Sequence, residues 1–207
     1  MYYVVGERRL RPGTADAYIA YAQRVAQDWA GVTGQDAYFL FVDRDSAERV
    51  LIVGSWPDRA AFHRAYATIP PERREIAGDA VLEGTGVWRW YTLAGELRTF
   101  GHDPRVATAT SFVVDPSDSV GVREWAARLR AAVREVPGLV LLRLLESTDE
   151  PGTFVQLGVF ADEVAADLAA ALAEDLRPPR PVGRTRSFVG LVGFRWSQYD
   201  ARTRHAT

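Results

Sequence analysis

A chain of 207 residues with 47% hydrophobic and 25% charged side chains has the balance of a globular protein, with room for one domain or two small ones. Its net charge of −2 builds no field toward nucleic acid or a membrane surface. All 25 basic residues are arginine, which excludes lysine Schiff-base chemistry, and the lack of cysteine excludes disulfides, thiolate nucleophiles and zinc–thiolate or iron–sulfur sites. The opening MYYVVGERRL carries no charged leader followed by an apolar run, and no segment approaches a membrane-spanning length, so a cytoplasmic location is expected.

The strand YYVVGERRL comes first and stops at Pro12-Gly13. A helix is expected from about Thr14, with Tyr18, Tyr21, Val25, Trp29 and Val32 forming an apolar stripe at helical spacing. The strands AYFLFV and RVLIVGSW follow, joined by the polar hairpin DRDSAE. A short helix begins at PDRAAF, with proline in the first turn, where its missing donor costs little. PPERREIAG, with Arg73 and Arg74, reads as a stiff irregular loop, and GVWRWYTL as a last strand. After AGELRTFGHDPR, read as a linker, the pattern returns. It runs through ATATSFVV, a helix around Trp125, LVLLRLL, TFVQLGVF, an alanine-rich helix, a second arginine-rich loop from Arg177 to Arg186, and SFVGLVGFRW.

The return is a repeat in register. VGSWPDRAAF and LGVFADEVAA superimpose at an offset of 104, which carries Gly54 to Gly158, Trp56 to Phe160 and Asp58 to Asp162. The same offset carries the stripe Tyr18, Tyr21, Val25, Trp29 to Val122, Trp125, Leu129, Val133. The chain therefore reads as a duplicated module: residues 1–95, a linker at 96–105, a second module at 106–197 and a tail at 198–207.

Each copy has the order βαββαβ, which implies an antiparallel sheet with both helices on one face. A sheet whose other face met water would alternate apolar with polar residues. AYFLFV, VLIVGSW, LVLLRLL and SFVGLVGF are instead nearly continuous apolar runs, so the second face is expected to be covered as well. The twin sheet is the obvious cover. The expected fold is α+β: two tandem ferredoxin-like modules whose sheets pack into one α+β barrel, an intramolecular pseudo-dimer. A monomer then suffices, and a homo-oligomer is not forbidden.

VGSWPDRAAF and, before the second strand of copy two, REVPGLV resemble the antibiotic biosynthesis monooxygenases of the dimeric α+β barrel superfamily. The resemblance covers both halves. Its quinone-forming branch has a tryptophan at the end of the third strand, an asparagine four residues before it and a tyrosine six after. Trp56 matches the tryptophan, Ile52 stands for the asparagine and Phe62 for the tyrosine; copy two has Gln156, Phe160 and Ala166. In the haem-degrading branch the second tryptophan would fall at Ala65 and the axial histidine near Glu75.

Trp56, Phe62 and Tyr66 are the leading candidates for substrate contact. Trp56 shares a pleat face with Ile52, expected to line the barrel cavity, and Tyr66 shares a helical face with Phe62. Such rings can sandwich a planar ligand or simply form core. The equivalents Phe160, Ala166 and Ala170 make the aromatic wall one-sided. His63 reads either as a general base or as a surface residue, because it diverges from Phe62 by about 100° around the helix. Arg89 and Arg195, in the paired RW strands beside Trp90, read as anion-binding or edge-strand arginines. Arg143 and Gln156 interrupt buried strands and need partners; Gln156, on the face of Phe160, is the favoured group for orienting an oxyanion.

The catalytic set expected from the sequence is thus His63, Gln156 and Arg89, with Trp56, Phe62, Tyr66, Ile52, Trp90, Phe160 and Arg195 around the substrate. The resemblance implies oxygenation, without a prosthetic group, of a polycyclic aromatic phenol or anthrone of polyketide type, with O₂ as co-substrate. Neither metal nor cofactor is required by that reading, although haem and flavin stay open. A cyclase or isomerase using the same cavity, or a non-catalytic aromatic-binding protein, are the competing readings.

Overall fold

The computed structural model describes residues 1–29, 35, 37–82, 88–99, 102–174, 176, 180–182 and 185–197, with side chains at all of these but 76, 186 and 191–197. Val32, the side chain of Arg195 and most of the arginine-rich stretch 177–186 lie outside the described residues.

The chain forms two units, Met1–Trp90 with Val192–Thr207, and Tyr91–Leu191. In the first, β1 (Tyr2–Arg9) leads to α1 (Ala15–Trp29), then β2 (Ala37–Asp43), β3 (Arg49–Trp56), α2 (Arg59–Ala67) and α3 (Pro71–Ala80). β4 (Trp88–Arg98) starts in this unit and runs into the second, three residues past the start of the expected linker. The second unit repeats the order with β5 (Val106–Val113), α4 (Ser119–Val133), β6 (Leu139–Ser147), β7 (Thr153–Phe160) and α5 (Glu163–Glu174). β8 (Arg186–Ser197) begins in the second unit and ends in the first.

The fold is α+β, with tandem ferredoxin-like modules and, among the described residues, eight strands. β3 pairs antiparallel with β1 and β2, β6 with β4 and β7, and β5 with β7 and β8, and the hydrogen-bonded strand order β1-β3-β2-β8-β5-β7-β6-β4 is closed, as in an α+β barrel. Both faces of the first sheet are buried. Val4, Leu40, Val50, Ile52 and Trp56 pack with the helices, while Tyr3, Val5, Phe41, Leu51 and Val53 fill the opposite face. This double burial is why the strands read as apolar runs rather than alternating ones.

Local chemistry explains the helices. α1 turns Tyr18, Tyr21, Ala22, Val25, Ala26 and Trp29 inward, one stripe at 3.6-residue spacing. α2 starts at Asp58, whose carboxylate accepts from the Ala61 amide at 2.7 Å, and Asp162 does the same for Ala165 at 2.8 Å. The 104-residue offset thus preserves the cap as well as the fold. The DRD turn is structural, as read: Asp43 Oδ1 accepts from the Asp45 amide at 2.9 Å, and Arg49 bridges Asp43 (3.1 Å) and Glu7 (2.6 Å).

One expectation is corrected. PPERREIAG is not a loop, because Pro71–Ala80 is helical. Pro71 occupies the first turn, where a missing amide hydrogen is tolerated, and glutamate, arginine and alanine propagate the helix behind it. Among the described residues no helix is long and apolar enough to cross a membrane.

Candidate functional site

The first unit holds a half-open chamber of about 290 Å³ between its sheet and its helices. Register builds the floor. Val4 pairs with Gly54 and Gly54 with Tyr38, so the three lie in one row across β1, β3 and β2. Ile52 and Trp56 flank that row on the same pleat face. The walls come from Tyr18, Tyr21, Val25 and Trp29 of α1, Phe62 and Tyr66 of α2, and Arg74, Ala77 and Gly78 of α3. Trp88 of β4 and Arg8 of β1 complete one end, with Ile69 and Val81 between elements.

The face bearing Ile52, Gly54 and Trp56 is therefore the helix-covered one. The expectation that this face lines a cavity on the sheet's other side is corrected. The reason is that α1 and α2 present their aromatic stripes to it, and rings meet rings there.

Phe62 is the hub of those rings. Its centroid lies 5.6 Å from Trp56, 6.3 Å from Trp29, 5.9 Å from Trp88 and 5.3 Å from Trp90, all edge-on. Tyr66 stacks on Phe62 at 5.9 Å and 25°. Trp29 meets Trp56 at 5.2 Å and 80°, and its indole nitrogen donates to the Ala65 carbonyl at 3.1 Å, which fixes α1 against α2. Edge-to-face pairs contribute about 0.5–1.5 kcal/mol each beyond their buried area, so the cage is rigid as well as apolar.

Its polar groups are phenols and guanidinium ions. Arg8 is only 6% exposed; its guanidinium lies 4.1 Å over the Trp88 ring and acts electrostatically on the Tyr18 phenol. Burial pushes the Tyr18 phenol up, and Arg8 partly opposes the shift. Burial, reinforced by Tyr18, pushes Tyr21 up to about 12. Burial raises Tyr38 well above the ordinary phenol value. All three keep their protons near neutrality and can therefore donate. Arg74 supplies a second, exposed cation. Among the described residues no aspartate, glutamate or histidine lines the chamber.

The structure brings four of the expected residues together: Ile52, Trp56, Phe62 and Tyr66 all line the chamber. Trp90 is buried behind Phe62, with the Arg59 guanidinium 5.2 Å from its ring. His63 is exposed and off the lining, its ring 5.5 Å from Phe62 and 6.0 Å from Trp90. Arg89 is half-buried and also off the lining.

Gln156 and Phe160 belong to the second unit. The Gln156 amide donates to the Arg143 carbonyl at 2.8 Å, and Arg143, 1% exposed, pairs with Glu96, so both polar interruptions have structural partners. Phe160 folds over Gly158, where a Cβ would sit 2.7 Å from its ring, and packs into that unit's core.

Sequence reasoning missed Arg8 and the phenols of Tyr18, Tyr21 and Tyr38 as site residues. Parity held a signal for Arg8, because it shares a pleat face with Val4 and Gly6 in a strand buried on both faces. The stripe on α1 was visible, but its tyrosines read as core.

The family model for antibiotic biosynthesis monooxygenases matches residues 1–82. No curated protein matches the chain. Among solved structures, a Fusobacterium nucleatum protein provisionally assigned as a monooxygenase is similar at 13% identity, over 95% of this chain and 94% of that one, with a TM-score of 0.78. A Lactobacillus acidophilus protein with the same provisional assignment is similar at 13% identity, over 95% and 96%, with a TM-score of 0.76. An anthrone oxidase-like protein is similar at 14% identity, over 95% and 92%, with a TM-score of 0.70. At these identities the likeness is one of fold, and it spans both modules.

Proposed function

We propose that this chain, whose residues 1–82 are an antibiotic biosynthesis monooxygenase domain, oxygenates a small fused-ring aromatic inside the chamber of its first module. The family match supports a monooxygenase-like function. The finer reading, a phenol or anthrone oxidised without a prosthetic group, rests chiefly on one observation: a half-open chamber of about 290 Å³ walled by Trp29, Trp56, Phe62 and Trp88. That volume is at the small end of ligand pockets, and rings set edge-on around it suit a flat guest.

The chemistry balances without a reductant. A methylene flanked by aromatic rings loses a proton, and the resulting carbanion passes one electron to O₂. The radical pair collapses to a peroxide, which loses water and leaves a carbonyl. One oxygen atom enters the product and the other leaves as water; the carbon gives up four electrons and O₂ takes them. The protein's part is to desolvate the anion, hold it flat and surround its oxygen with donors. Tyr18, Tyr21 and Tyr38 are such donors. His63, Arg89 and Gln156 do not reach the chamber lining, so the reading assigns them no step.

The likeness to an anthrone oxidase-like fold makes anthrone the first compound to try. The expected result is uptake of one O₂ per anthrone at a rate proportional to protein, with one ¹⁸O atom from ¹⁸O₂ in the anthraquinone formed. Turnover that persists without oxygen would point to a cyclase, and saturable binding without turnover to a carrier; either overturns the reading. A visible spectrum of the purified protein shows directly whether haem or flavin takes part.

A further inference from the structure

We propose that Arg8 is the anion-binding residue of the chamber, and that the ligand enters as a planar aromatic already carrying an ionised oxygen. The inference deepens the function proposed above and rests on the same chamber. Arg8 is 94% removed from solvent, and among the described residues no carboxylate pairs with it. Its contacts are the Glu7 carbonyl at 3.4 Å and the face of Trp88 at 4.1 Å, and its charge is felt by the Tyr18 phenol. A guanidinium removed from water without a counter-ion is strongly unfavourable, and its charge is left for whatever enters the chamber.

The duplicated module shows that the fold itself has no need of this charge. The 104-residue offset carries Arg8 to Phe112, which is 6% exposed and packs on Trp125 and Phe154 at 5.9 and 5.8 Å. The same offset carries Tyr18 to Val122, Tyr38 to Leu142 and Phe62 to Ala166. One strand position thus holds a ring in a closed core in one copy and a cation beside an open chamber in the other. Gly6 prepares the place. A Cβ there would lie 2.6 Å from the Trp88 ring, so the bare backbone lets the indole lie flat beneath the guanidinium.

The rest of the lining agrees. The phenols of Tyr18, Tyr21 and Tyr38 hold their protons beyond the usual range and donate, and Arg74 adds a second positive charge. Among the described lining residues none is a base that would take a proton from the ligand near neutrality. Selection of the anion from its solution equilibrium replaces deprotonation inside. The recognised group is an ionised oxygen on a flat ring, whether a carboxylate or a phenolate.

Equilibrium binding tests this on the whole chain under argon, read by quenching of tryptophan fluorescence. The wild-type protein is expected to bind 2-naphthoate at least tenfold more tightly than its neutral isostere 2-naphthamide, about 1.4 kcal/mol. Arg8→Met should remove that preference while leaving 2-naphthamide binding and the melting temperature in place; Arg8→Lys, which keeps charge without the planar fork, should fall between. A second arm uses 4-nitrophenol. If the phenolate is the recognised group, the bound dye titrates at lower pH than the free dye, and the shift disappears in Arg8→Met. Preference for naphthoate without that shift identifies the carboxylate as the recognised group.

Equal binding of naphthoate and naphthamide by the wild type, together with an unshifted nitrophenol titration, overturns the proposal even if no variant folds. So does an Arg8→Met change that weakens both naphthalene ligands alike. None of these readings involves O₂. Anion selectivity through Arg8 with no anthrone turnover would remove the oxygenase reading alone, and turnover without selectivity would remove this one.

Discussion

Trp56 is at once core and wall. It is 1% exposed and meets Trp29 and Phe62 edge-on, yet it also borders the chamber, so one side chain packs the core and lines the cavity at once. The phenols beside it make the molecule sensitive to alkali. Tyr21 is pushed up to about 12 when folded and ionises near 10 when unfolded. The folded state therefore keeps a proton that the unfolded state releases. This contribution to stability is intact below about pH 10 and is lost as pH rises toward 12. Absorbance at 295 nm should show a late-ionising class among the eight tyrosines, appearing together with the loss of near-UV circular dichroism. Tyr21→Phe should move that loss to higher pH; a single class of eight near pH 10 would contradict the burial argument. Trp56, Phe62 and Tyr66 were legible because their spacing is fixed within one strand end and one helix. Which face Trp56 takes was not. Leu51 and Val53 are as apolar as Ile52, and a strand buried on both sides carries no alternation to orient it.

At the level of elements, the two capped helices offer a paired measurement. Asp58 and Asp162 each accept from the third amide of the turn they open, at 2.7 and 2.8 Å. Replacing either by alanine should cost about 1 kcal/mol, read as a lower urea midpoint, whereas asparagine, which caps as well, should restore most of it. Equal midpoints for the alanine and asparagine variants would mean that the cap contributes nothing. These helices were readable because each aspartate follows directly on a strand-ending aromatic segment, SWPD or VFAD, and apolar residues recur behind it. α3 was hidden for the opposite reason: two prolines and four charged residues precede any periodic apolar residue. Yet α3 brings Arg74, Ala77 and Gly78 to the chamber, so the element least visible in the sequence shapes the site.

Over the whole chain, duplication was the most legible feature, because a constant offset survives even where side chains have diverged. The pattern could not show that the first unit takes its last residues from beyond position 191. β8 neighbours both β2 and β5 in the hydrogen-bonded order, and its residues from Val192 belong to the first unit. Truncation before residue 186 should therefore reach back across the sequence. Backbone amides of β2, Ala37–Asp43, should exchange with deuterium faster by orders of magnitude, while those of β3, paired on both sides with β1 and β2, should be less affected. Unchanged β2 exchange in the truncated chain would rule out β8 as its neighbour.

That shared strand gives protein synthesis a timetable. When the ribosome has made the first ninety residues, the chamber's rings and its guanidinium exist, but the neighbour that β2 requires lies another hundred codons downstream. An open strand edge on a nascent chain is a template for association with other chains. The early half must be kept apart from other copies until translation reaches Val192, so its maturation waits on codons that follow the whole of the second unit.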